Sequence, residues 1–141
     1  MRYETGQEIS QDFTQALRDT GVFDDSTVLV RRTLRSGQSV HYDGNVVILG
    51  DVNPGAEVIA TGNIIVMGSL RGVAHAGACG DTDAVVTAFR LSPTQLRIAD
   101  QITRAPDGNN PEPQLPETAS IKNGVVVIEQ YNPHGDRGSR R

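Results

Sequence analysis

The side chains best suited to chemistry in this sequence lie close together, between residues 75 and 83. His75 and Cys79 form a His-x-x-x-Cys pair, which is half of a metal-site pattern, and Asp81 and Asp83 are spaced like the first ligands of a calcium loop. No second ligand pair follows, and the residues after Asp83 are apolar. We therefore expect no metal site, and we interpret the small residues around Cys79 as a tight corner.

Nucleophilic catalysis would require the thiol of Cys79 to lie beside an imidazole that activates it. His41 and His75 are the candidates, but no motif places either of them beside the thiol. The phosphate-binding pattern Gly-x-x-x-x-Gly-Lys does not occur in the sequence. We expect a protein that is not an enzyme and that uses no cofactor.

The composition is that of one small acidic domain. The chain has 141 residues and a net charge of −4, which argues against a general nucleic-acid binder, although Arg31, Arg32 and Arg35 form a local basic cluster. A single cysteine excludes an intramolecular disulfide and favours a reducing, cytoplasmic setting. The first residues lack the apolar core of a signal peptide, and no stretch approaches the roughly 20 apolar residues of a membrane span.

An internal repeat of 18 residues is the strongest feature of the sequence. Residues 44–50 (GNVVILG) align with residues 62–68 (GNIIVMG) at this offset, and looser copies occur at 84–88 and 123–128. Helical repeats need about 33 residues or more, whereas 18 residues suit one coil with three short strands. The sequence therefore predicts an all-β fold, a short right-handed three-faced β-helix (β-solenoid) of about four coils.

Side-chain alternation assigns the faces of the predicted strands. Glu57 and Thr61 share one parity, so Ala56, Val58 and Ala60 are predicted to face the core. The strands near 46–49 and 64–67 are apolar on both parities, so one set of side chains must form an exposed apolar stack. We expect this stack to be a dimer interface, unless a terminal segment folds back over it; its members are Val47, Leu49, Ile65 and Met67.

The ends of the chain depart from the repeat. Ser10 suits a helix N-cap, and Ile9, Phe13 and Leu17 recur four residues apart, which predicts a short helix over about 11–19. Residues 105–113 have the composition of a loop. We therefore divide the chain into an N-terminal linker with a short helix (1–27), a β-helix domain (28–131) and a disordered tail (132–141).

Two other functional classes fit part of the pattern. A solenoid scaffold that polymerises end to end, as bactofilin-like proteins do, would explain the repeat and the apolar stack, although the ends here are polar and contain proline. A β-helix enzyme would need a row of polar groups where this repeat places aliphatic ones. A discrete dimer in solution would favour an interaction domain, and growth with concentration would favour the polymer.

An ordered series of motifs resembles the C-terminal domain of the bacterial division-site regulator MinC. Arg-Ser-Gly-Gln at 35–38 is followed by GDVNPGAEV at 50–58, ATGNI at 60–64, GSLRG at 68–72 and AHAG at 74–77. The similarity continues through residues 95–99 to about residue 130. Each motif is weak by itself, but the ordered series is specific.

The resemblance implies a cell-division inhibitor that acts in septum-site selection. In that family the domain dimerises through an apolar face, binds the membrane-associated ATPase MinD in its ATP-bound state, and contributes to contact with the tubulin-like FtsZ. We therefore expect a cytoplasmic homodimer that reaches the inner face of the membrane only through MinD. Complete family members carry a further N-terminal domain that does most of the FtsZ antagonism, and residues 1–27 are too few for it. Strong inhibition by this chain alone is therefore not expected.

The resemblance also implies which residues contact MinD. By position these are Arg35, Ser36, Gly37 and Gln38, with Asp51 and Arg71 as weaker candidates on the adjoining surface. A guanidinium suits a carboxylate, a turn glycine allows close approach of two backbones, and an amide offers both donors and acceptors. The alternative is that Arg35 pairs with an acid of its own chain, such as Asp51 or Asp43.

Overall fold

The computed structural model describes residues 26–104 and 111–133, and all regular elements in these ranges are β-strands. None of the described residues forms a helix with the length and hydropathy of a membrane span. The helix predicted over 11–19 lies outside these ranges, as do residues 105–110 and 134–141 of the predicted loop and tail. The strands are β1 (Thr27–Val30), β2 (Ser39–Tyr42), β3 (Asn45–Ile48), β4 (Glu57–Ala60), β5 (Ile64–Leu70), β6 (Val73–Ala76), β7 (Val86–Leu91), β8 (Gln95–Ile98), β9 (Gln101–Arg104), β10 (Glu117–Lys122) and β11 (Val125–Gln130).

The strands wind into four coils with three faces, which confirms the predicted β-solenoid. Face A stacks β1, β3, β5 and β7 in parallel, and face B stacks β2, β4, β6 and β8 in parallel. A narrow third face, here called the bridge face, is centred on one buried paired residue per coil: Leu34, Val52, Leu70 and Leu91. Between the third and fourth coils, Ser69 and Arg90 pair as well. On face A and on the bridge face, equivalent residues of the first three coils are 18 positions apart, as the sequence predicts.

The interior is filled by small and medium aliphatic side chains, because alternate residues of each strand point inward. Ala56, Val58 and Ala60 are at most 1% exposed, which confirms the predicted inward parity. Stacked coils bury the same face repeatedly, so a chain with few aromatic residues still forms a continuous core. The largest fully buried side chains are Leu34, Val46, Ile48, Val52, Val58, Ile64, Val66, Leu70, Val86, Leu96 and Ile98.

Polar side chains at the corners hold successive coils in register. The Oδ1 atom of Asn45 accepts the N–H of Asn63 at 2.8 Å, and the Oδ1 atom of Asn63 accepts the N–H of Val85 at 2.8 Å. On the bridge face, the Oδ1 atom of Asp51 accepts the N–H of Ser69 at 2.8 Å. These bonds satisfy main-chain donors at the corners, where the sheets offer them no partner. We refer to them as the corner ladders.

The prediction that residues 123–128 form a further copy of the coil repeat is wrong. This segment lies in a hairpin, in which β10 runs antiparallel to β7 and β11 runs antiparallel to β10. Asn123 and Gly124 have φ values of +54° and +81°, the left-handed conformation that a two-residue hairpin turn requires and that reverses the chain. The fourth parallel strand of face A is instead β1, whose sequence is too different from the repeat to align with it. β9 also runs antiparallel to β8, so reversed strands close the C-terminal end of both sheets.

Candidate protein-interaction surfaces

The four residues Arg35, Ser36, Gly37 and Gln38 form an exposed tight turn between the bridge face and face B. The N–H of Gln38 donates to the carbonyl of Arg35 at 2.9 Å, and Gly37 has a φ of +88°, as in a type II turn. The Oε1 atom of Gln38 accepts the N–H of Arg35 at 2.8 Å, so the amide side chain closes the turn a second time. The turn is therefore held in one shape before any partner binds.

The second coil repeats this turn directly beside the first. The N–H of Ala56 donates to the carbonyl of Asn53, Gly55 also has a φ of +88°, and the N–H of Gly37 donates to the carbonyl of Gly55 at 2.9 Å. A Cβ at Gly55 would lie 2.4 Å from the hydroxyl of Ser36, whereas a Cβ at Gly37 would meet nothing within 4 Å. Gly55 therefore allows the two turns to stack, and Gly37 leaves its backbone open to a partner.

We expect Gly55→Ala to destabilise the protein more than Gly37→Ala. Either substitution forces a side chain into the left-handed region, which costs about 1–2 kcal/mol. Only Gly55→Ala also drives its Cβ into Ser36, which raises the expected loss to about 2–4 kcal/mol. Urea unfolding of both variants and the wild type measures the difference, and equal losses would contradict the stacking of the two turns.

In the first three coils, the residue that follows the bridge residue occupies an equivalent position. These three residues, Arg35, Asn53 and Arg71, form what we call the arginine column. The Nη1 atom of Arg71 donates to the Oδ1 atom of Asn53 at 3.1 Å, and its Nε atom donates to the Oε2 atom of Glu112 at 3.0 Å. The two arginine backbones lie two strand spacings apart, about 10 Å. The column thus presents two guanidinium groups along one line.

The two carboxylates that the sequence offered to Arg35 bond other groups of the chain. Asp51 accepts the N–H of Ser69, and Asp43 accepts the hydroxyl of Thr61 at 2.8 Å. Within the described ranges, none of the ion pairs involves Arg35. The alternative pairing of Arg35 with Asp51 or Asp43 is therefore not formed, and its guanidinium is available to a carboxylate from another protein.

The outer side of face A carries the exposed apolar stack that the sequence predicts. Leu49 and Met67 are each 43% exposed and Ile65 is 37% exposed, while Val47 beside them is half-buried. Their neighbours Val46, Ile48, Ile64 and Val66 are fully buried, which confirms the predicted division between core and surface. The alternation of these two strands thus leaves a row of aliphatic side chains exposed to water. A contiguous exposed apolar patch of this kind is typical of an interaction site.

An apolar groove of about 330 Å³ crosses this stack on the third and fourth coils. Phe89, which is 44% exposed, and Tyr131, which follows β11, form two of its walls. The groove continues the stack toward the C-terminal hairpin, so face A offers one extended apolar surface. Its lining residues are Ile65, Val66, Met67, Thr87, Phe89, Pro116 and Tyr131.

The residues considered for metal or nucleophile chemistry are not gathered into one site. The Nε2 atom of His75 lies 3.0 Å from the carbonyl of Ala99, and the Nε2 atom of His41 lies 3.3 Å from a carboxylate oxygen of Glu57. Cys79 is exposed. Across the described part of the chain, no group of three or more His, Cys, Asp or Glu residues is arranged to hold a metal ion.

Comparison with known proteins assigns this chain to a family. The family described as septum formation inhibitor MinC, C-terminal domain, matches residues 28–131. The chain belongs to this MinC family. It is 66% identical to the probable septum site-determining protein MinC of Heliobacterium modesticaldum over 77% of this chain and 38% of that protein. It is 53% identical to the protein of the same name from Clostridium novyi, over 82% of this chain and 54% of that protein.

A solved structure supports the same assignment at the level of the fold. It is titled as the MinC:MinD cell division protein complex of Aquifex aeolicus, and a chain of it superposes with a TM-score of 0.74 and 42% identity. The match covers 77% of this chain and 88% of that one. The chain spans only 38% to 54% of the length of the two curated MinC relatives described above, so it corresponds to one part of a longer protein in each of them.

The structure brings most of the residues suggested by the MinC resemblance onto one surface. Arg35, the first residue of the turn at 35–38, and Arg71 belong to the arginine column. Asp51 lies on the other side of the bridge residue Val52, and its carboxylate takes part in a corner ladder. Sequence reasoning missed Glu112, because it lies in an irregular segment outside the repeat. It also missed Phe89, because the third and fourth coils are offset by 22 residues instead of 18.

Proposed function

We propose that residues 28–131 are the recruitment domain of a septum-site inhibitor, which binds ATP-bound MinD and helps to block FtsZ assembly at wrong sites. The observation that carries this proposal is the 42% identity to a chain of a structure titled as a MinC:MinD complex. Binding to MinD would bring this domain to the inner face of the membrane. In this proposal the domain binds partners and performs no catalysis.

The charge of the bridge face supports the turn at 35–38 as the contact element. The outward positions beside the bridge residues carry three arginines, Arg35, Arg71 and Arg90, against one acid of the coils, Asp51, and Glu112, which reaches Arg71 from the segment before β10. The chain as a whole has a net charge of −4, so this face is locally basic on an acidic protein. Such a surface complements an acidic patch on a partner and speeds their encounter.

The apolar side of face A supports a homodimer as the working unit. Aliphatic side chains stacked from coil to coil, with an aromatic residue at one end, suit a self-complementary two-fold interface. A dimer would present two turns of the type at 35–38 to a membrane that carries many MinD molecules. The second contact would then form at a high effective concentration, so two weak contacts would give firm recruitment.

The end-to-end polymer is less well supported than the discrete dimer. Parallel stacking between molecules would need strands that continue the direction of the coils at both ends. At the C-terminal end, β9 and the hairpin of β10 and β11 run against that direction. These reversed strands resemble the protected edges that limit aggregation in natural β-proteins.

A nucleotide-dependent binding assay tests the proposal. The chain would be immobilised and titrated with MinD from the same organism, purified with ATP under conditions that prevent hydrolysis, and in parallel with ADP. We expect binding with ATP and little or none with ADP. Equal binding in both nucleotides, or no binding in either, would contradict the proposed recruitment.

A further inference from the structure

The second guanidinium of the arginine column is already occupied by an acid of the same chain. Arg71 bonds Glu112 through Nε at 3.0 Å and Asn53 through Nη1 at 3.1 Å. Arg35, two coils below, has the same position in its coil but no such acid among the described residues. One column therefore contains one open and one occupied carboxylate site.

Glu112 reaches Arg71 from outside the solenoid. It lies in the segment 111–116, which has no regular strand and leads into β10. The two residues are 41 positions apart in the chain, so the contact is a tertiary one that the coil repeat does not require. Pro111 and Pro113 flank Glu112 and restrict the backbone on both sides of it.

The Arg71–Glu112 ion pair is weak enough to exchange. The side chain of Arg71 is 41% exposed and that of Glu112 is 30% exposed, so water competes with both groups. Exposed ion pairs of this kind stabilise a protein by about 0–1 kcal/mol. A carboxylate on an approaching partner could therefore replace Glu112 on Arg71 at small cost.

We propose that Glu112 is an internal stand-in for a partner carboxylate, and that it masks Arg71 until the partner binds. This inference rests on the proposed recruitment by MinD and adds its regulation. The matching surface of the partner would carry two carboxylates, one for Arg35 and one for Arg71, whose backbones lie two strand spacings, about 10 Å, apart. Glu112 then sets the affinity of the surface without contacting the partner.

The test is a double-mutant cycle on binding to ATP-bound MinD. The dissociation constant is measured for the wild type, Glu112→Gln, Arg71→Gln and the double variant at two salt concentrations. Glu112→Gln keeps the shape of the side chain but removes the competing charge, so we expect about two- to fivefold tighter binding. Arg71→Gln should weaken binding, and in that background Glu112→Gln should have no further effect.

Glu129→Gln is the matched control. Glu129 is also an exposed carboxylate in an ion pair, with Lys122 at 2.8 Å, but it lies on the C-terminal hairpin. Its removal should leave the dissociation constant unchanged at either salt concentration. If Glu129→Gln tightens binding as much as Glu112→Gln, the gain reflects net charge alone and the masking role is refuted.

The other outcomes separate this inference from the proposed function. Unchanged or weaker binding of Glu112→Gln, while the wild type binds MinD in the ATP state, would overturn the masking role and leave recruitment intact. Tighter binding that persists in the Arg71→Gln background would also overturn it, because the gain would not pass through Arg71. If the wild type does not bind MinD at all, recruitment fails and the masking role fails with it.

Discussion

Arg35→Glu is expected to abolish binding to ATP-bound MinD, with a loss of affinity of at least about a hundredfold. The substitution replaces a guanidinium that has no ion-pair partner among the described residues with a carboxylate, which would face the acid of the partner. Repulsion is added to the lost ion pair, so the effect should exceed that of Arg35→Ala. The hydrogen bonds of the turn use the main chain of Arg35 and remain possible, so the fold should be unaffected.

Arg104→Glu is the matched control for this prediction, because it makes the same change of charge on another exposed arginine. Arg104 lies on β9 at the C-terminal end of face B, about four strand spacings, or 19 Å, along the solenoid from the coil of Arg35. Titration with MinD in ATP should give near-normal affinity for this control. Normal binding by Arg35→Glu would mean that the turn at 35–38 is not the contact element.

Met67→Glu is expected to convert the proposed dimer into monomers. Met67 is 43% exposed at the centre of face A and lines the apolar groove, so two-fold pairing would bury the new carboxylate without a partner. Burial of an unpaired charge costs several kcal/mol, and the symmetry of the dimer places the substitution in the interface twice. The dimer dissociation constant should rise by at least about a thousandfold. Analytical ultracentrifugation across a range of concentrations measures it.

Ile102→Glu provides the comparison on another face. Ile102 is 47% exposed on β9, in the sheet of face B. The substitution therefore removes a similar aliphatic surface outside the proposed interface. Its sedimentation should match that of the wild type. If Met67→Glu remains a dimer, the interface lies elsewhere, and the apolar side of face A then needs another occupant.

The coil architecture was predictable because the sequence repeats the contacts that define it. Asn45 and Asn63 recur at the same offset as the strands that follow them, and they form one corner ladder. The inward parity of Val58 followed from Glu57 and Thr61, because polar side chains on one side of a strand identify the other side as the core side. In such cases the local pattern and the packed structure depend on the same residues.

The features that the sequence did not predict depend on contacts that do not repeat along the chain. β11 has the aliphatic composition of a coil strand, but the turn at Asn123 and Gly124 decides its direction, and composition alone does not encode direction. Glu112 meets Arg71 because the irregular segment before β10 places it beside a residue 41 positions earlier in the chain. The sequence could not reveal that contact, because a single acid in an irregular segment has many cations within reach.

The corner ladders give this molecule a unit of length. Each coil adds one strand spacing, about 4.8 Å, and offers the next coil the same polar and apolar contacts. The gain or loss of one whole coil between the turn at 35–38 and the groove would therefore keep both surfaces on their own faces. Only their separation would change, by one such increment. Evolution could in this way adjust the geometry of a bivalent assembly in discrete steps without redesigning either surface.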